Sequence, residues 1–390
     1  MEFKRHLFAA SIVLLGLLIT NASVGQDSTE SVIAEHSELS AALPAGEWAR
    51  VESAVDRGLS WLSQQQAEDG SFPSDDNAQP AVTSLAVMAF LSRGHVPDQG
   101  PYGSKLSRAI DFVLSTQRRQ GYFALRPVVE PIQHLSSSQT ATYNHSIAGL
   151  MLGEVYGMTS GERSQRIEDA LHLALSYHRE VQSRRKEFES DFGGWRYAFP
   201  NAPKASSDMS VTGWALMFLR SARNAEFNVP KQYFDEGLDF VERCYDSHGL
   251  QPEAGVFRYR PEDGNSNNPQ ITLANTSSAA LTLILGGRQN HPGVAHTVRW
   301  LLSQPYPKPW QNGYFYLSTY YTSQAVAQVG GETWNQLFPQ IAANLLGEQS
   351  ESGAWPAGAS NERPFGESYA TSLAILSLTP AYQLLPIYQR

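Results

Sequence analysis

Gln64-Gln65-Gln66-Ala67-Glu68-Asp69-Gly70-Ser71-Phe72, followed after a loop by Thr83-Ser84-Leu85-Ala86-Val87-Met88-Ala89-Phe90, decides the fold of this chain. A helical stretch ends in glutamines, a Gly-x-aromatic turn follows, and a helix rich in small residues opens on Thr or Ser. The same order returns. Gln117 leads to Gly121-Tyr122-Phe123 and a helix from Asn144-His145-Ser146, and Gly193-Gly194-Trp195 precedes Ser210-Val211-Thr212-Gly213-Trp214. Gly255-Val256-Phe257 precedes Thr276-Ser277-Ser278, Gly313-Tyr314-Phe315 precedes Thr322-Ser323, and Gly353-Ala354-Trp355 precedes Thr371-Ser372. Glycine permits the tight bend at a helix end, and the aromatic two residues later packs back over the preceding helix. Turn glycines at 70, 121, 194, 255, 313 and 353 leave each unit room for two helices of about 12 to 15 residues and a loop. Six helix pairs close naturally into a ring with six helices inside and six outside. The expected fold is all-α, an α/α toroid forming a single domain over residues 48–390.

Outside the repeats, residues 1–25 read as an export signal. Lys4, Arg5 and His6 make a basic start, residues 7–19 are an apolar run shorter than a membrane span needs, and Ser23 and Gly25 precede a cut before Gln26. The mature chain is therefore expected to be exported, periplasmic or secreted, without a stable transmembrane anchor. Residues 26–47, rich in Ser, Glu, Thr and Ala, read as a flexible lead-in. Lys and Arg number 29 against 38 Asp and Glu, a net charge of −9, which argues against a nucleic-acid partner. The one cysteine, Cys244, rules out an intrachain disulfide and a four-cysteine zinc site.

The repeats resemble a known group. The run from Gln65 to Phe72, Gly193-Gly194-Trp195, and Gly347-Glu348-Gln349 with Gly353-Ala354-Trp355 are similar to the Gln-Trp repeats of squalene and hopene cyclases and of protein prenyltransferase β-subunits. That resemblance implies a cavity at the end of the ring where the inner helices begin. The segment Asp208-Met209-Ser210-Val211-Thr212 lies where the cyclases carry Asp-x-Asp-Asp-Thr and the transferases Asp-x-Cys. Ser210 takes the place of both the proton-donating aspartate and the zinc-binding cysteine, and a serine hydroxyl serves neither chemistry. Asp208 and Thr212 match the pattern, and they also make a helix N-cap sequence.

Weaker signals sit elsewhere. Asp75-Asp76 is similar to the aspartate-rich box of diphosphate-ionising terpene synthases but lacks its last acid and reads as a loop turn. Cys244 with His248 reads as an idle thiol rather than a zinc pair, and Arg184-Arg185-Lys186-Glu187 as a solvated helix end. No phosphate-binding glycine loop, Gly-x-Ser-x-Gly elbow or Cys-Gly-Glu-Gln thioester occurs, so no cofactor is expected. Residues placed ahead of the inner helices should rim the cavity: Tyr143, Asn144, Thr212, Asn275, Tyr320, Tyr321 and Tyr369, with Asp208, Glu367 and His145 as candidate catalytic groups. The first expectation is a cavity binding an apolar, isoprenoid-like molecule, with catalysis left open. Its rivals are a carbohydrate-active toroid in which Asp208 and Glu367 pair over a glycan, and a non-catalytic interaction scaffold.

Overall fold

The computed structural model describes residues 38–389 apart from 129–134, 199–203, 247–255, 262–270, 304, 308–312 and 359–360. The expected export signal, Gly255 and Gln304 lie outside the described residues. Twelve α-helices carry the described chain: α1 (Ala45–Gln65), α2 (Ala81–Leu91), α3 (Gly103–Ser115), α4 (Ser137–Tyr156), α5 (Gly161–Ser183), α6 (Met209–Asn224), α7 (Lys231–Arg243), α8 (Leu273–Leu285), α9 (Pro292–Leu302), α10 (Phe315–Val329), α11 (Gly331–Glu348) and α12 (Gly366–Leu378). The even-numbered helices pack each on the next, and α12 packs back on α2, which closes the inner ring. The odd-numbered helices form the outer layer. Composition explains the division: α2 is buried on every side and uniformly apolar or small, whereas α3 and α7 each confine their buried residues to one stripe. Among the described residues, no helix is long and apolar enough to cross a membrane.

The repeat works as a clasp between neighbouring units. Gln66 Nε2 donates to the carbonyls of Gly70 and Lys105, and Gln117 Nε2 to those of Gly121 and Ala170. Gln182 reaches Gly193 and Tyr233 in the same way, and Gln349 reaches Gly353 and Ala54, with all eight contacts between 2.8 and 3.0 Å. Each glutamine thus ties its own turn to the outer helix of the next unit, and Gln349 ties the last unit to the first. The turn glycine then lies against that same outer helix. All four have φ between +84° and +99°, and a Cβ added to Gly193 would sit 2.0 Å from the Glu236 carbonyl oxygen. A Thr on the inner helix completes three of the clasps by accepting the N–H of the turn aromatic: Thr83 from Phe72, Thr212 from Trp195 and Thr371 from Trp355.

Three local expectations are corrected. The bending glycine of the third unit is Gly193, not Gly194, which restores the two-residue spacing to Trp195. In the fifth unit Phe315, though buried, is the first residue of α10 rather than part of a turn, and Tyr306 ahead of it is also buried, its hydroxyl donating to Thr319 Oγ1. The stretch read as lead-in contains a packed 3-10 turn, Glu38–Ala42. There Trp334 Nε1 donates to Leu39 O and Trp48 Nε1 to Ser40 O, so two outer-helix tryptophans hold it. The fourth turn is enlarged into a short antiparallel pair, Tyr245–Asp246 with Val256–Phe257.

Ring closure is testable at one side chain. Gln349→Ala removes the bonds to Ala54 O and from the Arg57 guanidinium, which cross the seam between the last and first units, together with the bond to Gly353 O in its own turn, with an expected loss of about 1–2 kcal/mol. Urea unfolding checks it, and an unchanged midpoint would show that the seam is held by apolar packing alone.

Candidate functional site

The end of the ring where the inner helices begin is a rim of tyrosines around two buried carboxylates. Asp208 is the N-cap of α6. Its Oδ1 accepts from Val211 N at 2.9 Å and from Ser210 Oγ at 2.8 Å, and Tyr143 OH lies 2.6 Å from that serine oxygen. Its Oδ2 faces Arg196 Nη1 at 3.6 Å, an ion pair too long for a hydrogen bond. Neither of these two buried atoms has a partner at hydrogen-bond distance. The Arg196 guanidinium lies over the ring of Tyr197 at 4.9 Å and that of Tyr259 at 5.5 Å, and the two phenol oxygens meet at 2.8 Å. Burial raises the Asp208 proton affinity, and Arg196, the Val211 N–H and the neighbouring hydroxyls oppose that rise.

The second carboxylate is Glu362, which sequence reasoning missed. Fully buried, it accepts the N–H groups of Tyr316 and Leu317 at 3.0 and 2.9 Å, capping α10 from a distant loop, and receives the Tyr369 hydroxyl at 3.3 Å. Burial pushes its pKa up to about 7 against those stabilising donors. Tyr314 has its pKa raised first by burial and then by the proximity of Tyr197 and Glu362. The available signal was an acid just before a helix start, which Glu362 and Glu367 share. The 3-10 turn Arg363–Phe365 separates them and turns Glu362 inward.

Glu367 is corrected on that account. It is exposed and lines an open groove of about 300 Å³ with Trp61, Asp75 and Pro364, away from Asp208. No carboxylate reaches the ring nitrogens of His145. The imidazole is buried among Phe123, Tyr177, His178 and Phe218, neither ring nitrogen has a hydrogen-bond partner, and burial lowers its pKa to about 3. Asn144 is structural, bridging Asn77 O and the Ala81 N–H, and Thr212 belongs to the third clasp. Asn275 is buried in the first turn of α8, where its N–H bonds the Thr272 cap. Tyr143 meets Ser210 Oγ beside Asp208, and Tyr369 donates to Glu362.

Tyr320 and Tyr321 do not stand at the rim, because α10 starts at Phe315 and carries them more than a turn inside. Both pack on Trp214 of α6, with Tyr320 stacked at 5.6 Å and 9°. Since α8 separates α6 from α10 in the ring, that contact passes inside the ring, in front of α8. At the far end, the C-terminal turn Pro386–Tyr388 inserts below it: Tyr388 OH meets Tyr320 OH, and Glu154 of α4 accepts the Ile387 N–H at 3.0 Å. Aromatic side chains of α6, α10 and the C-terminal turn thus pack together inside the ring. Cys244 is equally enclosed, with a thiol pKa raised well above the ordinary value by burial, while its suggested partner His248 lies outside the described residues.

By fold the chain is an α/α toroid of the kind that serves both terpenoid and carbohydrate enzymes. A type II terpene cyclase from Scytonema, MstE, in complex with geranylgeranyl dihydroxybenzoate superposes with a TM-score of 0.55 at 13% identity, covering 87% of this chain and 99% of the cyclase. The α-1,6-mannanase GH76A of Salegentibacter, in complex with α-1,6-mannotetrose, gives 0.60 at 12% identity over 85% and 99%. A family 76 glycoside hydrolase from a bovine Bacteroides thetaiotaomicron strain gives 0.57 at 8% identity over 90% and 79%. These likenesses are of fold. No family model matches the chain, and no curated protein is similar to it in sequence.

Proposed function

We propose that this toroid binds a glycan on its tyrosine rim, over Asp208 and Arg196. The observation that carries the reading is the pair of buried atoms left without hydrogen-bond partners, Asp208 Oδ2 and Arg196 Nη1, 3.6 Å apart. Leaving such groups unsatisfied costs about 1–3 kcal/mol each, so the site favours a ligand that supplies both partners. A sugar hydroxyl does so with one oxygen, donating to the carboxylate and accepting from the guanidinium. Tyr143, Tyr197 and Tyr259 beside it add aromatic faces with polar edges, a composition suited to sugar rings. An isoprenoid supplies neither partner, and the interior space it would need is taken by Trp214, Tyr320 and Tyr388. The apolar-ligand reading keeps its support from the fold shared with the terpene cyclase. Under either reading the chain is exported, on the strength of residues 1–25.

Titration calorimetry with neutral and acidic oligosaccharides tests the proposal. Asp208→Asn retains the helix cap, since Asn caps as well as Asp, and should change stability by less than about 1 kcal/mol. The same variant is expected to weaken oligosaccharide binding at least about tenfold, the loss of a charge-assisted hydrogen bond. Binding of a prenyl chain with no oligosaccharide binding would overturn the reading.

A further inference from the structure

Beside the rim, the run Arg184-Arg185-Lys186 is more than a solvated helix end. Arg184, Lys186, Arg196 and Lys204 converge with Tyr197 and Ser206 on one narrow pocket, and no carboxylate lines it. Four cations around one opening on a chain of net charge −9 are opposed to the overall field of the protein. The pocket is built rather than incidental. Lys186 and Ala205 form a parallel bridge, with Ala205 N donating to Arg185 O and Glu187 N to Ala205 O, each at 2.8 Å, so the two walls are fixed to each other. Lys186 Nζ is pinned by the Gly194 carbonyl at 2.6 Å and Ser207 Oγ at 3.3 Å, both neutral. Arg184 spends one nitrogen on exposed Glu180, and Arg196 points its Nη1 toward Asp208 at the glycan rim. The enclosed space is about 10 Å³, enough for one oxygen-sized group and too small for a sugar ring.

We propose that this pocket recognises an oxyanion carried by the ligand, so that the glycan is an acidic one bearing a uronate carboxylate or a sulfate ester. The identification of the carrier as a glycan rests on the rim reading above, whereas the anion pocket stands on its own residues. One oxygen of the acidic group enters between Lys186 and Arg196 while Lys204 and Arg184 neutralise the remainder from the edge. The neighbouring sugar then lies over Tyr197 and reaches Asp208. Burial lowers the Lys186 pKa to about 8, and a bound anion would restore it toward the ordinary lysine range.

The test is calorimetry on the full mature chain with a hexameric oligogalacturonide, a neutral oligosaccharide of equal length, inorganic sulfate and geranylgeranyl diphosphate. The comparison protein is the Arg184→Ala/Lys204→Ala variant, whose substitutions lie at accessible positions. The acidic oligosaccharide is expected to bind at least about tenfold more tightly than the neutral one at low salt, a preference that shrinks as salt rises and disappears in the variant. Equal binding of the two oligosaccharides, or a preference that survives in the variant, overturns the anion pocket and leaves the glycan rim intact. Sulfate binding that the variant loses, with no oligosaccharide bound by either protein, overturns the glycan carrier and keeps the pocket. Geranylgeranyl diphosphate binding ahead of the oligogalacturonide overturns the carrier as well.

Discussion

Trp195→Ala is expected to lower the unfolding free energy by about 3–5 kcal/mol, the range for removing a large aromatic from a packed core. The indole is fully buried, stacks on His178 at 4.7 Å, and donates through Nε1 to the His178 carbonyl at 3.0 Å. Its backbone N–H ends on Thr212, so the residue locks outer helix α5 to inner helix α6 at the point where Gln182 and Gly193 reach α7. The deletion leaves a cavity bounded by rigid helices, which cannot collapse to fill it. Gly193→Ala is expected to be no milder. Its φ is +84°, and the added carbon would overlap a carbonyl oxygen of a helix fixed on both sides. Urea unfolding and calorimetry measure both effects. A Trp195→Ala protein with native melting temperature but altered ligand binding would place the indole at the ligand and refute its role as a lock.

The second large effect is on the pH dependence of stability, and it runs opposite to that of an ordinary surface carboxylate. Glu154, fully buried where Ser221 Oγ and Ile387 N donate to it, has its pKa raised by burial from 4.5 to about 7. Between these values the folded chain binds a proton that the unfolded chain has released. Stability from this group is thus fully present below pH 4.5 and is lost as pH rises to 7, at about 1.4 kcal/mol per pH unit. Glu362 acts in the same direction over the same interval. Buried His145 acts the other way, its contribution being complete above pH 6.5 and lost as pH falls toward 3. Buried His178, its pKa lowered well below the ordinary value by burial, acts with His145, so that two histidines offset the two acids between pH 4.5 and 6.5 and the profile of these four groups falls on either side of that interval. Glu154→Gln keeps the shape and removes the titration, its Oε1 accepting from Ile387 N and its Nε2 donating to Ser221 Oγ, whose hydroxyl then donates to the Leu150 carbonyl. The variant should match the wild type near pH 4.5 and exceed it by about 3 kcal/mol at pH 8. Melting temperatures of the two proteins across this range provide the check, and curves that stay parallel would rule out a buried titrating Glu154.

The repeat was legible in the sequence because it is a local device. Glutamine at a helix end, glycine two residues before an aromatic, and Thr at the next helix start are linked within one unit, so their spacing alone announced a ring of helix pairs. Asp208 as a helix cap was legible for the same reason. Where a loop lengthens, as between Gln182 and Gly193, the register slipped by one residue. What only the tertiary structure decided depends on contacts between units far apart in the chain. Glu362 rather than Glu367 is the inward acid because one short 3-10 turn sets which of two nearby carboxylates meets α10. His145 lies in the core because α5 and α6 enclose it with His178 and Phe218, a fact that no spacing along α4 encodes. Trp214 and Tyr320 meet inside the ring past α8, and Tyr388 of the C-terminal turn joins them there, because ring closure brings together side chains that are far apart in the chain. Local periodicity specifies which helices form, whereas the contents of the ring follow from how six of them converge.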